Sequence, residues 1–478
     1  MISAEIIPAL LRALSLNLRC RFPGVCNWNP VGTGPLVVGA SQAWAGRTLA
    51  IAFDPITPST VYIGTAGGGV WKSTDSGLSW SPKTDYQISL AVGALAIDLN
   101  NHLRIFAGTG EYNNQGAGTY YGNGVLRSDN GGDTWTELAM VTFQRDEISR
   151  ILFDPTDATS QRMFLSSATG VYESTDGGVN CAQLCAGSTS DLVVIVNPGP
   201  PSTATLIAAF YGSGLWISTR TGTTWSLWTQ ISNAAFPGSF GRIALGQSKN
   251  NPKTIYVLFA GTSSDIAGMA KTSDGGSTWT AMTVRLNTAV GALSSSTMGH
   301  LHSVTISAAD LTAAPIAYTY TTSSAGTPVH THFVSLTAND VLQLASGKAL
   351  IKTTDPDATG HQHTFVLGTT GQSWYNLHLA VHPTNTNIVY FGEVSIWKNS
   401  SGGGVFDRVT SLHPDNHAFA FDPTNPGIIW SCNDGGVYRS ADGGTTWFHR
   451  NRDLATLEFI SIALHPQWEG VMIGGNSR

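Results

Sequence analysis

A chain of 478 residues with 12% charged residues and a net charge of −6 can bury a large core but shows no basic run or stripe, which argues against nucleic acid as a partner. Nothing approaches 18 consecutive apolar residues, so no membrane span is expected. Fifty-three glycines with abundant Ser and Thr suit a turn-rich β protein rather than a helical one.

Residues 1–27 are apolar but lack the basic start and clean apolar stretch of a signal peptide, and they read as a leader or disordered N-terminus. Of the five cysteines, Cys20 with Cys26 and Cys181 with Cys185 form two close pairs, and Cys432 stands alone. Two local disulfides with one buried thiol, or five buried thiols, both fit, and the disulfides are the expectation.

From residue 28 onward one unit recurs. Leu49-Ala-Ile-Ala-Phe-Asp-Pro55 is a strand ending in an Asp-Pro turn, and Thr60-Val-Tyr-Ile-Gly-Thr65 is a second. A Gly-rich turn, Ala66-Gly-Gly-Gly69, leads to a third strand, Val70-Trp-Lys-Ser73. The turn Ser73-Thr-Asp-Ser-Gly-Leu-Ser-Trp80 then opens a fourth. Near-copies of that turn begin at Ser128, Ser174, Ser218, Thr272, Asn399 and Ser440, those at Ser218 and Asn399 being degenerate. Spacings of about 40–55 residues are those of four-stranded propeller blades. The gap between Thr272 and Asn399 is too long by about 80 residues for that period, which places an insert at 291–367. The blades resume over 368–478, where Ala463–Trp468 and Val471–Gly475 begin a repeat that is not completed, as expected of a truncated C-terminus.

In each turn the Asp carboxylate can accept hydrogen bonds from its own backbone while Gly supplies φ > 0. The pattern Ser-x-Asp-x-Gly-x-Thr-Trp resembles the Asp-box, or BNR repeat, and the whole unit resembles the sortilin/xyloglucanase-like branch of propellers. The resemblance implies an all-β propeller of about seven four-stranded blades. It also implies that the boxes lie away from the ligand face, which receives the second-to-third strand turns and the linkers between blades. Enzymes of the xyloglucanase type carry two catalytic carboxylates, and Asp434 occupies the position of one of them. Ala66 occupies the other, leaving Glu111 as the candidate partner. Tyr120 and Tyr121, in the enlarged loop with Glu111, suit sugar stacking. Arg47, Arg150 and Arg242 each precede a first strand, where a guanidinium either binds an anionic ligand or holds backbone carbonyls. His413-Pro-Asp-Asn-His417 reads as a linker turn rather than a metal site.

The insert holds a second repeat: His300-Leu-His302, His330-Thr-His332 and His361-Gln-His363, at starts 30 and 31 residues apart. On a strand, positions i and i+2 face one side, so each pair presents two imidazoles together. Three such strands offer up to six nitrogen ligands for Cu, Zn, Fe or Ni. The motif is similar to the His-x-His repeats of phage tail-fibre needles, which implies a six-His site.

The expected function is a secreted or surface-bound binding protein, extracellular or on the cell surface. Its insert coordinates a transition metal, and its propeller face takes a polysaccharide or protein ligand. A glycoside hydrolase acting on β-glucans through Asp434 and Glu111 is the alternative, and a metal-dependent oxidase using the six histidines is the third reading.

Overall fold

A computed structural model describes residues 35–38, 42–112, 120–197, 199, 201–357, 360–368 and 371–457, together with the backbone strands at 459–464 and 472–476. The expected leader at 1–27 and the pair Cys20–Cys26 lie outside the described residues. The chain forms an all-β ring of seven four-stranded antiparallel blades, spanning 48–82, 92–138, 148–186, 189–230, 243–282, 378–409 and 416–449.

Two kinds of strand explain the sequence pattern. Second strands such as Val61–Thr65, Ile105–Thr109, Met163–Ser167 and Ile429–Asn433 are buried at every position, because each is covered by a neighbouring blade on both faces. First strands line a central channel and are only partly buried, as in Thr48–Phe53 and Val92–Ile97. Every joint between adjacent blades has its own apolar core. Trp71, Trp80 and Trp430 fill the joint between the seventh and first blades, and Tyr62, Val92 and Ile105 that between the first and second.

The turn repeat lies between third and fourth strands. At the fifth blade, Thr278 donates through its amide to Asp274 Oδ1 (2.9 Å) and through its hydroxyl to Oδ2 (2.6 Å), while the Gly276 amide donates to Thr272 Oγ1 at 3.0 Å. In the second blade Asn130 takes the place of Asp and accepts from the Thr134 amide at 2.9 Å. In the fourth blade Arg220 occupies the Asp position and forms a buried ion pair with Asp154 of the third blade.

The ring closes without strand exchange. Thr48 Oγ1 donates to Gly436 O at 2.7 Å and the Ala45 amide to Gly435 O at 3.0 Å. The buried Asn451 side chain donates to Ala43 O (2.6 Å) and Gly435 O (2.8 Å) and accepts from the Val437 amide (2.7 Å). The Gly46 amide meets Thr456 Oγ1 at 2.9 Å, and a Cβ on Gly46 would collide with the Thr456 carbonyl. Strands Phe459–Leu464 and Met472–Asn476 form a further antiparallel pair.

The insert leaves after the fifth blade and returns at the first strand of the sixth. Arg285–Asn287 runs parallel to Val405–Phe406–Asp407 at the edge of the sixth blade. Three hairpins follow: Val290–Leu293 with Ser303–Ile306, Tyr318–Thr321 with Phe333–Leu336, and Leu350–Thr353 with Thr364–Leu367. Helices α1 (Ala308–Thr312) and α2 (Ala338–Ala345) join them, each capped by a hydroxyl, Ser307 or Thr337. Val304, Ile306, Val334, Leu336, Phe365 and Leu367 make a core separate from those of the blades. A short helix, α3 (Ser373–Asn376), returns the chain to the ring.

Cys181 and Cys185 are free thiols, so the expected disulfide does not form. Four positions apart along an extended chain, they stand on the order of 13 Å apart, beyond the reach of an S–S bond. Cys432 is buried and free.

Candidate functional site

The three His-x-His pairs were expected on strands. They lie instead in the ends of the hairpin loops, just before Ser303, Phe333 and Thr364. The second imidazole of each pair is fixed by a rule that repeats three times. The His302, His332 and His363 amides donate to Ser294 Oγ (2.9 Å), Thr322 Oγ1 (2.9 Å) and Thr354 Oγ1 (3.0 Å), each a hydroxyl at the start of the same loop.

Their Nδ1 atoms reach the following hairpin in a cycle. His302 Nδ1 lies 2.6 Å from Ser323 O, His332 Nδ1 3.3 Å from Asp355 O, and His363 Nδ1 3.0 Å from Ser295 O, which closes the circle. Of the first members, His330 Nδ1 meets Pro328 O at 2.9 Å, His361 Nδ1 meets Asp357 Oδ2 at 3.2 Å, and His300 Nδ1 lies a long 3.5 Å from Met298 O. A carbonyl only accepts, so these contacts place the proton on Nδ1 and leave the Nε2 lone pair facing inward. Burial first, and then the neighbouring imidazoles, hold His302, His332 and His363 below the ordinary histidine range, in the neutral form that binds metals.

The Nε2 atoms converge. Those of His302, His330, His332 and His361 are buried with no protein partner, and those of His300 and His363 stand 3.3 Å apart. Two lone pairs at that distance repel unless a proton or cation lies between them. Every ring centre lies 4.5–5.3 Å from four others. The fifth ring is the one across the cluster, so the opposed pairs are His300/His332, His302/His361 and His330/His363. These are the edges and diagonals of an octahedron. Its two triangular ends are the first members of the pairs, His300, His330 and His361, and the second members, His302, His332 and His363. Six imidazoles bonded to one ion at about 2.1 Å put neighbouring ring centres at about 4.6 Å.

A second polar cluster occupies the channel mouth. Glu111, fully buried, receives Arg47 at 3.0 Å (Nε to Oε1) and 3.2 Å (Nη2 to Oε2), and the Tyr375 hydroxyl donates to its Oε1 at 3.1 Å. The Tyr375 ring packs edge-on to His417 at 4.9 Å, and His417 Nε2 meets Asp434 Oδ1 at 2.7 Å. Arg47, Glu111 and Asp434 therefore join one network through Tyr375 and His417. Tyr375 was not singled out from sequence, where its 264-position separation from Glu111 leaves no signal. Burial, and then the Glu111 charge, push its phenol far above the ordinary tyrosine range, the reverse of an activated nucleophile.

Arg242 is buried and donates to the Tyr375 carbonyl, and Arg150 pairs with Asp191 at 3.3 Å. Each of the three arginines thus faces a protein acceptor. Tyr120 and Tyr121 are exposed, with Arg145 over the Tyr121 ring at 4.7 Å. His413 turns its Nδ1 to Pro414 O at 2.9 Å, away from any metal-like cluster among the described residues. Behind the mouth the channel encloses about 150 Å³, lined by first-strand residues that include Arg150, Asp191, His378 and His417. No helix among the described residues is long and apolar enough to cross a membrane.

No family model matches this chain. Among curated proteins, a xyloglucanase of Paenibacillus sp is 26% identical over 267 residues, covering 53% of this chain and 22% of that protein. A xyloglucanase of Hypocrea jecorina (strain QM6a) is 24% identical over 251 residues, covering 50% and 26%. The match therefore spans about a quarter of the curated relatives' length. Among solved structures, YCF48 from Cyanidioschyzon merolae is similar at 13% identity and a TM-score of 0.43, covering 83% of this chain and 96% of that one. The GH74 enzyme of Niastella koreensis is similar at 16% identity and a TM-score of 0.34, covering 87% and 86%.

Proposed function

We propose that this protein is a β-propeller binding protein whose insert holds one transition-metal ion on the Nε2 atoms of His300, His302, His330, His332, His361 and His363. The observation that carries the reading is the octahedral arrangement of six imidazoles, with the Nδ1 atoms of His302, His330, His332 and His363 turned outward to backbone carbonyls. Six neutral nitrogen donors suit a first-row dication, with Cu, Zn, Fe and Ni as candidates, and they exceed the four that structural zinc ordinarily takes. Six protein donors also leave no open coordination position, which favours a structural role over the oxidase reading. The setting proposed is extracellular or at a cell surface, with a polysaccharide or protein ligand on the propeller face.

Elemental analysis of the purified protein tests this. One ion per chain is expected, and none in a variant with all six histidines changed to alanine. Equal metal content in the two proteins refutes the proposal.

A second reading, hydrolysis of β-glucans, is favoured by the xyloglucanases among the curated relatives. Against it, Glu111 is enclosed by Arg47 and Tyr375, and Asp434 is enclosed by His417, whereas the chemistry needs two carboxyl groups flanking a bound sugar. Assay of the wild type, Asp434→Ala and Glu111→Ala on a β-glucan panel decides it, and an inert wild type ends the hydrolase reading.

A further inference from the structure

The cage is built by threes, and one of its three loops departs from the pattern. In each loop the carbonyl of the first histidine accepts from the amide of an earlier residue. Thr297 donates to His300 O at 3.3 Å, Ala325 to His330 O at 3.0 Å, and Asp357 to His361 O at 3.1 Å. Threonine and alanine bring no charge to that place, whereas the third loop brings a carboxylate.

Both oxygens of Asp357 are turned to the same histidine. Oδ1 accepts from the His361 amide at 2.9 Å, and Oδ2 lies 3.2 Å from His361 Nδ1. The His361 side chain is buried and that of Asp357 is 24% exposed, while His361 Nε2 points inward with no protein partner. The first histidines of the other loops have only carbonyls at Nδ1, His330 at 2.9 Å and His300 at a long 3.5 Å. Among the described residues, Asp357 is the one carboxylate that stands within 4.8 Å of ring nitrogens of three cage histidines, His330, His332 and His361.

Six neutral imidazoles bring no negative charge to a cation. A carboxylate that accepts from Nδ1 pushes electron density toward Nε2 and makes that ring the stronger donor. It also sets a negative charge one ring away from the ion, and the attraction grows with the charge of the ion. A residue that only shaped the turn would need one oxygen on the His361 amide. The second oxygen, on Nδ1, adds nothing to the turn and faces the one atom through which the ring can be tuned.

We propose that Asp357, acting through His361, tunes the cage toward the more highly charged state of a redox-active ion and strengthens its hold on that ion. The proposal rests on the reading of the six histidines as one metal site. Iron loaded into the full-length protein is the probe, because imidazole suits it and both Fe(II) and Fe(III) accept six ligands. In a mediated titration the iron takes one electron from dithionite and returns it to ferricyanide, with no bond to the protein made or broken. Asp357→Asn keeps an oxygen for the His361 amide but offers Nδ1 an NH2 group, which cannot accept. Its preference for Fe(III) over Fe(II) should fall about tenfold, moving the midpoint potential about 59 mV more positive. Asp310→Asn, which removes the same charge from α1 where Asp310 meets Ser307 and Tyr320, should leave the potential within a third of that shift. An unchanged potential in Asp357→Asn, or an equal shift in Asp310→Asn, overturns the proposal and leaves the six-histidine site standing. If Asp357→Asn retains no iron, Asp357→Glu decides: iron kept by the glutamate supports the carboxylate, and iron lost from both variants reduces Asp357 to a turn residue and overturns the proposal. A wild type that takes up no metal overturns the reading of the cage and this inference with it.

Discussion

At the scale of single residues, the carboxylates of the repeated turns are anchors of those turns. The Thr278 hydroxyl and amide, against a smaller effect of burial, bring Asp274 down to about 2. A carboxyl lowered in the folded state contributes stability above its unfolded value near 4, and that contribution is lost as pH falls toward 2. Asp274→Ala should cost about 1 kcal/mol in chemical denaturation at pH 7. Asp274→Asn should cost less and should flatten the acid limb, because Asn130 already performs the same bonding without a titrating group. Glu393 behaves in the opposite sense. Burial, only partly offset by the Trp397 indole donating at 3.2 Å, raises it to about 7. Its contribution is complete below pH 4.5 and disappears as pH rises through 7, so Glu393→Gln should flatten the decline in melting temperature over that window. The Asp turns were legible in sequence because their bonds span four residues. The partnership of Glu111 with Tyr375 was not, since nothing local couples positions so far apart.

At the scale of elements, the three hairpins depend on one another. The Nδ1 atom of each second histidine is satisfied by a carbonyl of the next hairpin, so no hairpin completes its own site. The hydroxyls that fix those histidines are therefore positioning residues. Thr322→Val and Thr354→Val should each weaken metal affinity by about 10-fold while leaving the melting temperature of the propeller unchanged, as read by competition with a chelating dye. Chelation of the loaded protein should admit protease within 294–363 while the blades survive, and mass spectrometry of the fragments would show the cuts. The broken blade period exposed the gap in the sequence, and the spacing of the histidine pairs exposed the threefold repeat. The loop position of the pairs was illegible, because the alternation Val304, Ile306 and Val334, Leu336 continues straight out of each His-x-His and reads as one longer strand.

At the scale of the whole molecule, the seam between the seventh and first blades rests on short-range bonding in place of a shared strand. Asn451 makes three of those bonds from a fully buried position. Asn451→Ala removes the partner of the buried Val437 amide and a donor from the Ala43 carbonyl, while Gly435 O keeps the Ala45 amide, and a loss of roughly 2–3 kcal/mol is expected in urea denaturation, larger than for any single turn carboxylate. Because Gly46 and Thr456 touch, the chain enters and leaves the ring at that same seam. Tension on the flanking segments therefore falls first on these few bonds, peeling the first and seventh blades from their free sides. The six histidines, lying in the chain between the fifth and sixth blades, carry load only after the sixth has come away: the ring is a mechanical shield, and the cage is among the last parts of the molecule that a pull along the backbone would reach.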